Sequence, residues 1–199
     1  MKSVIMALVF SLLTAVINIA PARAEEPRDT LVASVNQVLL VLNSQESFDQ
    51  KKAKIQVIID GLFDFKAIAQ RSVGVHWQKF TPEEQKEFIE VFSRLLSNIY
   101  LDKLKDYSGE KVEFLEQLSA GKGGAYERYI VKTRILRSGA AISVDYRMYV
   151  NQGKIRVYDI LIEGGVSLVH NYSVQFISRL NKVSPAELIR EIRNKINNN

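Results

Sequence analysis

Apolar side chains recur at the three- and four-residue spacing of helices through the first half of the chain. The segments Thr30–Asn43 and Phe48–Phe63 both show this spacing. Leu31, Val35 and Leu42 fall on one side of the first segment. One apolar stripe facing a core is typical of an amphipathic helix. The pattern therefore predicts two helices before residue 64.

Two further helix starts can be predicted from their capping residues. Thr81–Glu84 and Ser184–Glu187 each place a hydroxyl residue first, a proline next and a glutamate three positions after the hydroxyl. A capping box has this order, with proline favoured at the first helical position. The first start predicts a long helix over Pro82–Tyr107. The second predicts a terminal helix with Leu188 and Ile192 on one stripe.

After Tyr107 the apolar period changes from about 3.6 residues to two, which is the period of a half-buried strand. Tyr129 and Val131 fall on one face of such a segment, opposite Lys132. The predicted strands are Lys111–Leu118, Tyr126–Leu136, Ala140–Val150 and Ile155–Glu163.

The connections between these strands are short and rich in glycine. Gly121–Gly124, Ser138-Gly139 and Asn151–Gly153 are turn-like, which favours an antiparallel meander over parallel crossovers. Helices followed by a consecutive sheet indicate an α+β fold. We expect N-terminal helices over 28–107 to pack on a curled four-stranded antiparallel sheet over 111–163. Further helices are expected over 167–197.

The first residues have the three parts of a secretory signal. Lys2 precedes the apolar stretch Val4–Ala20, and small residues surround a cleavage site after Ala24. The alternative is an uncleaved anchor, but the apolar stretch is shorter than the roughly 20 residues that span a bilayer. We predict a signal peptide over 1–24 and a single domain over 25–199.

The amino-acid composition limits which kinds of partner and functional site the chain can have. Removing Lys2 and Arg23 lowers the basic count from 27 to 25 against 22 acidic residues, so the mature net charge is +3. That charge does not indicate a nucleic-acid partner. The chain has no cysteine, which excludes disulfides and thiolate chemistry. Its two histidines, His76 and His170, lack ligand spacing, so we expect no metal and no cofactor.

Asp159 is the strongest catalytic candidate, because it takes the same strand phase as Val157 and Leu161. A carboxylate in an apolar pocket can act as a base, as in a small-molecule isomerase. The alternative, which we favour, is a carboxylate hydrogen-bonded to backbone or to a tyrosine.

The glycine-rich segment Gly121–Gly124 lacks the spacing of a phosphate-binding loop. We therefore expect a protein that is not an enzyme.

Aromatic side chains are frequent on both the predicted strands and the predicted helices. Such a pattern fits a filled core, as in a structural adaptor, and it also fits a hollow ligand cavity. Periodicity is the same in both cases, so both alternatives stay open at this point.

The segment Val157–Phe176, VYDILIEGGVSLVHNYSVQF, resembles the signature of the MlaC-type periplasmic phospholipid-binding proteins, the toluene-tolerance auxiliary family. Segments 63–88 and 107–112 are also similar to that family, and the likeness covers roughly 31–192. The matching signature positions are Asp159, Glu163, Gly164, Val166, Ser167, Leu168, Val169, Asn171, Tyr172, Gln175 and Phe176.

This segment departs from the family pattern at two places. Gly164-Gly165 replaces a single glycine, which predicts a strand-to-helix turn one residue longer. Ser173 stands where an arginine is common, so the contacts of that arginine do not carry over. Neither departure changes an apolar position.

The resemblance implies a nuclear-transport-factor-like fold that encloses an apolar cavity. It implies a periplasmic shuttle that carries phospholipid between an outer-membrane lipoprotein–porin complex and an inner-membrane ABC transporter with a lipid-binding ring. Such a shuttle maintains the lipid asymmetry of the outer membrane. A related branch of the family is associated with hopanoids, and a hopanoid carrier is the alternative.

Exposure of lipid tails to water sets the requirement for a cavity. At about 0.8 kcal/mol per methylene, a chain of about 15 carbons costs on the order of 12 kcal/mol to expose. Both tails must therefore be enclosed, with Ser167 capping the helix that forms one wall. The residues predicted to contact the tails are Phe65, Phe92, Leu96, Ile99, Tyr129, Val131, Ile135, Val144, Tyr146, Met148, Leu161, Leu168, Val169, Tyr172 and Phe176.

Overall fold

The computed structural model describes residues 26–124, 126–137 and 139–198. The predicted signal peptide lies outside the described residues. The α-helices are α1 Pro27–Leu42, α2 Phe48–Leu62, α3 Phe65–Val73, α4 Pro82–Leu101, α5 Leu168–Leu180 and α6 Pro185–Asn197. The strands are β1 Lys111–Gly123, β2 Tyr126–Arg137, β3 Ala140–Asn151, β4 Lys154–Ile162 and β5 Val166–Ser167.

The helix before the sheet begins as its capping residues predict. The Thr81 hydroxyl accepts a hydrogen bond from the Glu84 backbone N–H at 3.2 Å, and the Glu84 carboxylate accepts one from the Thr81 backbone N–H at 2.8 Å. This reciprocal pair is a capping box. The helix ends earlier than predicted, at Leu101, because Asp102–Asp106 tightens into a 3₁₀ turn.

The start of α6 forms only half of the predicted capping box. The Ser184 hydroxyl accepts from the Glu187 backbone N–H at 3.2 Å. The Glu187 carboxylate pairs instead with Arg190, with an oxygen 2.6 Å from the Arg190 guanidinium. A neighbouring cation on the same helix face therefore competes with the backbone for this carboxylate.

The strands form one curled antiparallel sheet in the order β1-β2-β3-β4-β5, the meander that the short connections predict. The fifth strand is an addition to the predicted four. Val166 and Ser167 pair with Ile162 and Leu161 at the end of β4. A prediction from periodicity misses β5 because two residues are too few to show alternation.

A β-bulge in β4 overturns part of the predicted strand phase. Arg147 lies opposite Asp159, whereas Met148 lies opposite Val157, so Tyr158 is the extra residue. A bulge reverses the alternation of side chains beyond it. The prediction that Asp159 continues the phase of Val157 is therefore wrong.

The bulge also moves Leu161 away from the predicted tail contacts. Leu161 pairs with Asp145 on the outer face of the sheet. Ile160 and Ile162 take the inner face instead, which is the face covered by α1. Ile160 pairs there with Tyr146.

Three apolar clusters hold the described elements together. The sheet cluster joins α1 to the inner face of the sheet, with Leu31, Val131, Met148 and Val157 all fully buried. The helical core joins α3, α4, α5 and α6. A third cluster joins α1, α2 and the end of α4. Each fully buried side chain of this size contributes about 1.5–3 kcal/mol.

The helical core contacts the edge of β4 that faces away from β3. Phe63 forms a parallel bridge with Val157, and the Asp64 backbone N–H donates to the Val157 carbonyl at 2.8 Å. The Asp64 carboxylate also accepts a hydrogen bond from the Tyr149 hydroxyl. These contacts fix the start of α3 beside the sheet.

Candidate functional site

Asp159 is buried, with 2% of its surface exposed, and its carboxylate joins four hydrogen bonds. One oxygen accepts from the Ile160 and Val169 backbone N–H groups at 2.9 and 3.1 Å. The other accepts from the Ser167 hydroxyl at 2.7 Å and the Arg147 guanidinium at 3.1 Å. Both oxygens are thus occupied by donors. The favoured hydrogen-bonded interpretation of Asp159 is correct, although its partners do not include a tyrosine.

These bonds fix the first turn of α5 beside β4. Ser167 donates to Asp159 and accepts from the His170 backbone N–H at 2.9 Å, which confirms the predicted N-cap. The turn before it carries two glycines with φ of 76° and 106°, at Gly164 and Gly165. Glycine is favoured at both positions because side chains clash at positive φ.

One part of the inner face belongs to none of the three apolar clusters, although its side chains are buried or half-buried. We call it the apolar strip, and it consists of Ile135, Ile142, Val144 and Ile162. Ile135 pairs with Ile142, and Val144 pairs with Ile162. Thr133 lies beside the strip, and its hydroxyl donates to the Val144 carbonyl at 2.7 Å. With that hydroxyl satisfied, this region of the sheet is almost wholly apolar.

The residues predicted to contact tails separate into groups on different walls. Ile135 and Val144 lie in the apolar strip, and Tyr129 is half-buried, with its hydroxyl donating to Glu127 at 2.8 Å. The sheet cluster includes or adjoins Val131, Tyr146 and Met148. The helical core includes or adjoins Phe65, Phe92, Leu96, Ile99, Leu168, Val169, Tyr172 and Phe176. Leu161 alone lies on the outer face.

The predicted set lacks Ile142, Ile160 and Ile162, which lie on the inner face of β3 and β4. The simple alternation of β3 already signals Ile142, so its absence is an omission. Ile160 and Ile162 carry no such signal, because the bulge at Tyr158 is invisible in the hydrophobic pattern.

Burial raises the pKa of three tyrosines near these walls. Burial raises the pKa of Tyr146 to about 12. Burial also raises the pKa of Tyr172 to about 12, and the nearby Tyr100 hydroxyl raises it further. The pKa of Tyr100 is raised by burial as well. All three side chains therefore stay neutral at physiological pH.

A surface pocket of about 550 Å³ lies outside the predicted set. It is lined by the turn 165–167, by His170, Asn171 and Val174 of α5, and by Arg147. None of these residues is a predicted tail contact, so the enclosed apolar cavity stays a prediction.

Within the described residues, no helix is long and apolar enough to cross a membrane. No group of acidic or histidine side chains in that same part of the chain is arranged to hold a metal ion.

Comparison with known proteins identifies the family. The family model described as "MlaC protein" matches residues 32–194. The chain belongs to the MlaC family. No curated protein matches this MlaC chain.

A solved structure has the same fold as this MlaC chain. It is a phospholipid-binding protein from Ralstonia solanacearum, solved in complex with a phospholipid. The two chains superpose with a TM-score of 0.76 at 22% identity, covering 87% of this chain and 98% of the other. The predicted α+β architecture of helices on a curled antiparallel sheet is confirmed, with five strands in a sheet that does not close.

Proposed function

We propose that this MlaC chain binds a phospholipid with its acyl tails between the apolar strip and the helices. The observation that carries the proposal is the apolar strip itself, a contiguous set of inner-face side chains that belongs to none of the three apolar clusters. The structural neighbour was solved with a phospholipid, which supports the same ligand class here. Contiguous apolar surfaces of this kind commonly mark ligand-binding or interaction sites.

The wider role that we propose is a periplasmic shuttle. Residues 25–199 would act as a single lipid-binding domain, released after cleavage of the signal peptide over 1–24. It would exchange lipid with an outer-membrane lipoprotein–porin complex and with an inner-membrane ABC transporter that carries a lipid-binding ring. Membership of the MlaC family supports this role. A hopanoid is the alternative cargo.

A role as a carrier, without catalysis, fits the environment of Asp159. Its two oxygens already accept four hydrogen bonds, so it has no free lone pair directed at a substrate. The isomerase alternative needs that carboxylate as an available base. We therefore propose that Asp159 positions α5 against the sheet.

Adjacent residues of β2 offer a matched test of tail binding. Ile135 belongs to the apolar strip, while Leu136 points to the opposite face, and both are half-buried. Ile135→Asp places an unpaired carboxylate against the tails, and burial of an uncompensated charge costs several kcal/mol. We expect the phospholipid bound per protein, taken up from vesicles and measured by mass spectrometry, to fall more than about tenfold.

Leu136→Asp is the control, because it puts the same charge on the same strand but facing away from the tails. It should retain the lipid uptake of the unmodified chain. Equal uptake by Ile135→Asp and the unmodified chain would contradict the proposed position of the tails. Circular dichroism of both variants checks that the sheet is intact.

A further inference from the structure

The hydroxyls of two tyrosines in the helical core have no hydrogen-bond partner among the described residues. They belong to Tyr100, at the end of α4, and Tyr172, in α5. A tyrosine hydroxyl beside an apolar region normally finds a partner in protein, water or ligand. The unpaired polar atoms that are fully enclosed within the described chain lie on Glu46, His76 and Arg128. Neither tyrosine hydroxyl is among these atoms, so both keep some accessible surface and can donate to a molecule that reaches them.

The two tyrosines converge because α4 and α5 run antiparallel. Phe88 contacts Phe176 with ring centroids 5.6 Å apart, and Phe92 contacts Tyr172 at 4.9 Å. Helical side chains lean toward the N-terminus of their own helix. Tyr172 thus leans toward the end of α4, and Tyr100 leans back along α4 toward it. The effect of Tyr100 on the pKa of Tyr172 agrees with this proximity.

Polarity changes in a regular order along this face of α4 and the turn that follows it. Leu96 is 6% exposed, Tyr100 is half-buried and Lys103 is exposed. The three lie at the i, i+4 and i+7 positions of one face. The Lys103 ammonium lies 5.5 Å from the centroid of the Tyr100 ring. The face therefore passes from apolar to neutral hydroxyl to cation over about 10 Å.

A diacyl glycerophospholipid has the complementary order, from acyl tail to ester carbonyl to phosphate. We propose that the Tyr100 and Tyr172 hydroxyls donate hydrogen bonds to its two ester carbonyls, with the phosphate on the side of Lys103. This inference rests on the proposed function and deepens it. It predicts selection of ester-linked lipids with two chains over lipids that lack carbonyl acceptors, including polycyclic hydrocarbons.

A competition between two lipids tests the inference. The delipidated protein is incubated with vesicles that contain equal amounts of a diester phosphatidylglycerol and the diether analogue with the same chains. We expect the unmodified chain to take up the diester at least about tenfold more, since only the diester offers carbonyl acceptors to the two hydroxyls. The Tyr100→Phe/Tyr172→Phe double variant should take up both lipids about equally.

Tyr158→Phe is the matched control. Tyr158 is also buried and its hydroxyl has no hydrogen bond within the described residues, but it packs under Arg71 and beside Tyr149. This control should keep the diester preference. Because neither Tyr100 nor Tyr172 has a hydrogen bond to lose, the double variant should unfold at an unchanged urea midpoint without lipid.

The outcomes separate the inference from the proposed function. Equal uptake of both lipids by the unmodified chain, or a preference that persists in the double variant, would overturn the role of the tyrosines while leaving lipid binding intact. Uptake of neither lipid by the unmodified chain would overturn both proposals.

Discussion

Replacing Asp159 with alanine is expected to lower the free energy of unfolding by about 3 kcal/mol. The substitution leaves the Val169 backbone N–H without its acceptor and the Arg147 guanidinium without its counterion. Removing one partner of a buried ion pair typically costs about 3–5 kcal/mol. We expect a loss at the lower end of this range, because the Arg147 side chain is 35% exposed and water can solvate its charge. The contact between α5 and β4 is the part of the fold that weakens.

Urea unfolding of the lipid-free protein measures this effect. We expect a lower urea midpoint, with the dependence of the unfolding free energy on urea concentration unchanged. Asp145→Ala is the control, since Asp145 lies on the same face of β3 as Arg147 but its carboxylate accepts no hydrogen bond within the described residues. The control should change the stability by less than about 0.5 kcal/mol. Similar losses in both variants would contradict the assigned role of Asp159.

Phe92→Ala is expected to destabilise the lipid-free protein by about 3–5 kcal/mol. Phe92 is 1% exposed and lies at the centre of an aromatic group. Its ring centroid is 4.9 Å from that of Tyr172, 5.0 Å from Phe176 and 5.7 Å from Phe88. Truncation leaves a cavity among rings that cannot close it without leaving their rotamers.

The measurement is again the urea midpoint, taken without lipid, and Leu40→Ala is its control. Leu40 lies on α1 and is 73% exposed, so its truncation should have little effect. A loss below about 1 kcal/mol at Phe92 would contradict its place in a filled helical core. Such a result would favour a ring that packs well only when lipid is bound.

The order of the long helices and of the four long strands could be predicted from the sequence because each is specified locally. Thr81 and Glu84 set the start of α4 through backbone bonds only three residues apart. The alternation of β2 and β3 fixed their inner faces, and the short connections fixed the meander. Local signals of this kind agree with the global fold in natural sequences.

The features that were missed depend on contacts between distant segments. The extra residue at Tyr158 follows from pairing with β3, so the phase of Leu161 could not be read from β4 alone. The partners of Asp159 come from β3, β4 and the start of α5. Their distances arise only once the sheet and helix are assembled.

The same limit applies to the choice between a filled and a hollow core. Phe92 and Ile135 carry the same apolar signal in sequence, yet Phe92 is packed among rings while Ile135 belongs to no cluster. The difference lies in what covers each residue. Periodicity reports which face is apolar and contains no information about the opposite wall.

Mass spectrometry of the protein, purified without detergent from cells that express it, tests the central claim most directly. Native spectra give the mass of any bound molecule, and denaturing spectra identify it. We predict a stoichiometric diacyl phospholipid. A protein that carries no lipid, and acquires none from phospholipid vesicles, would contradict the proposed function.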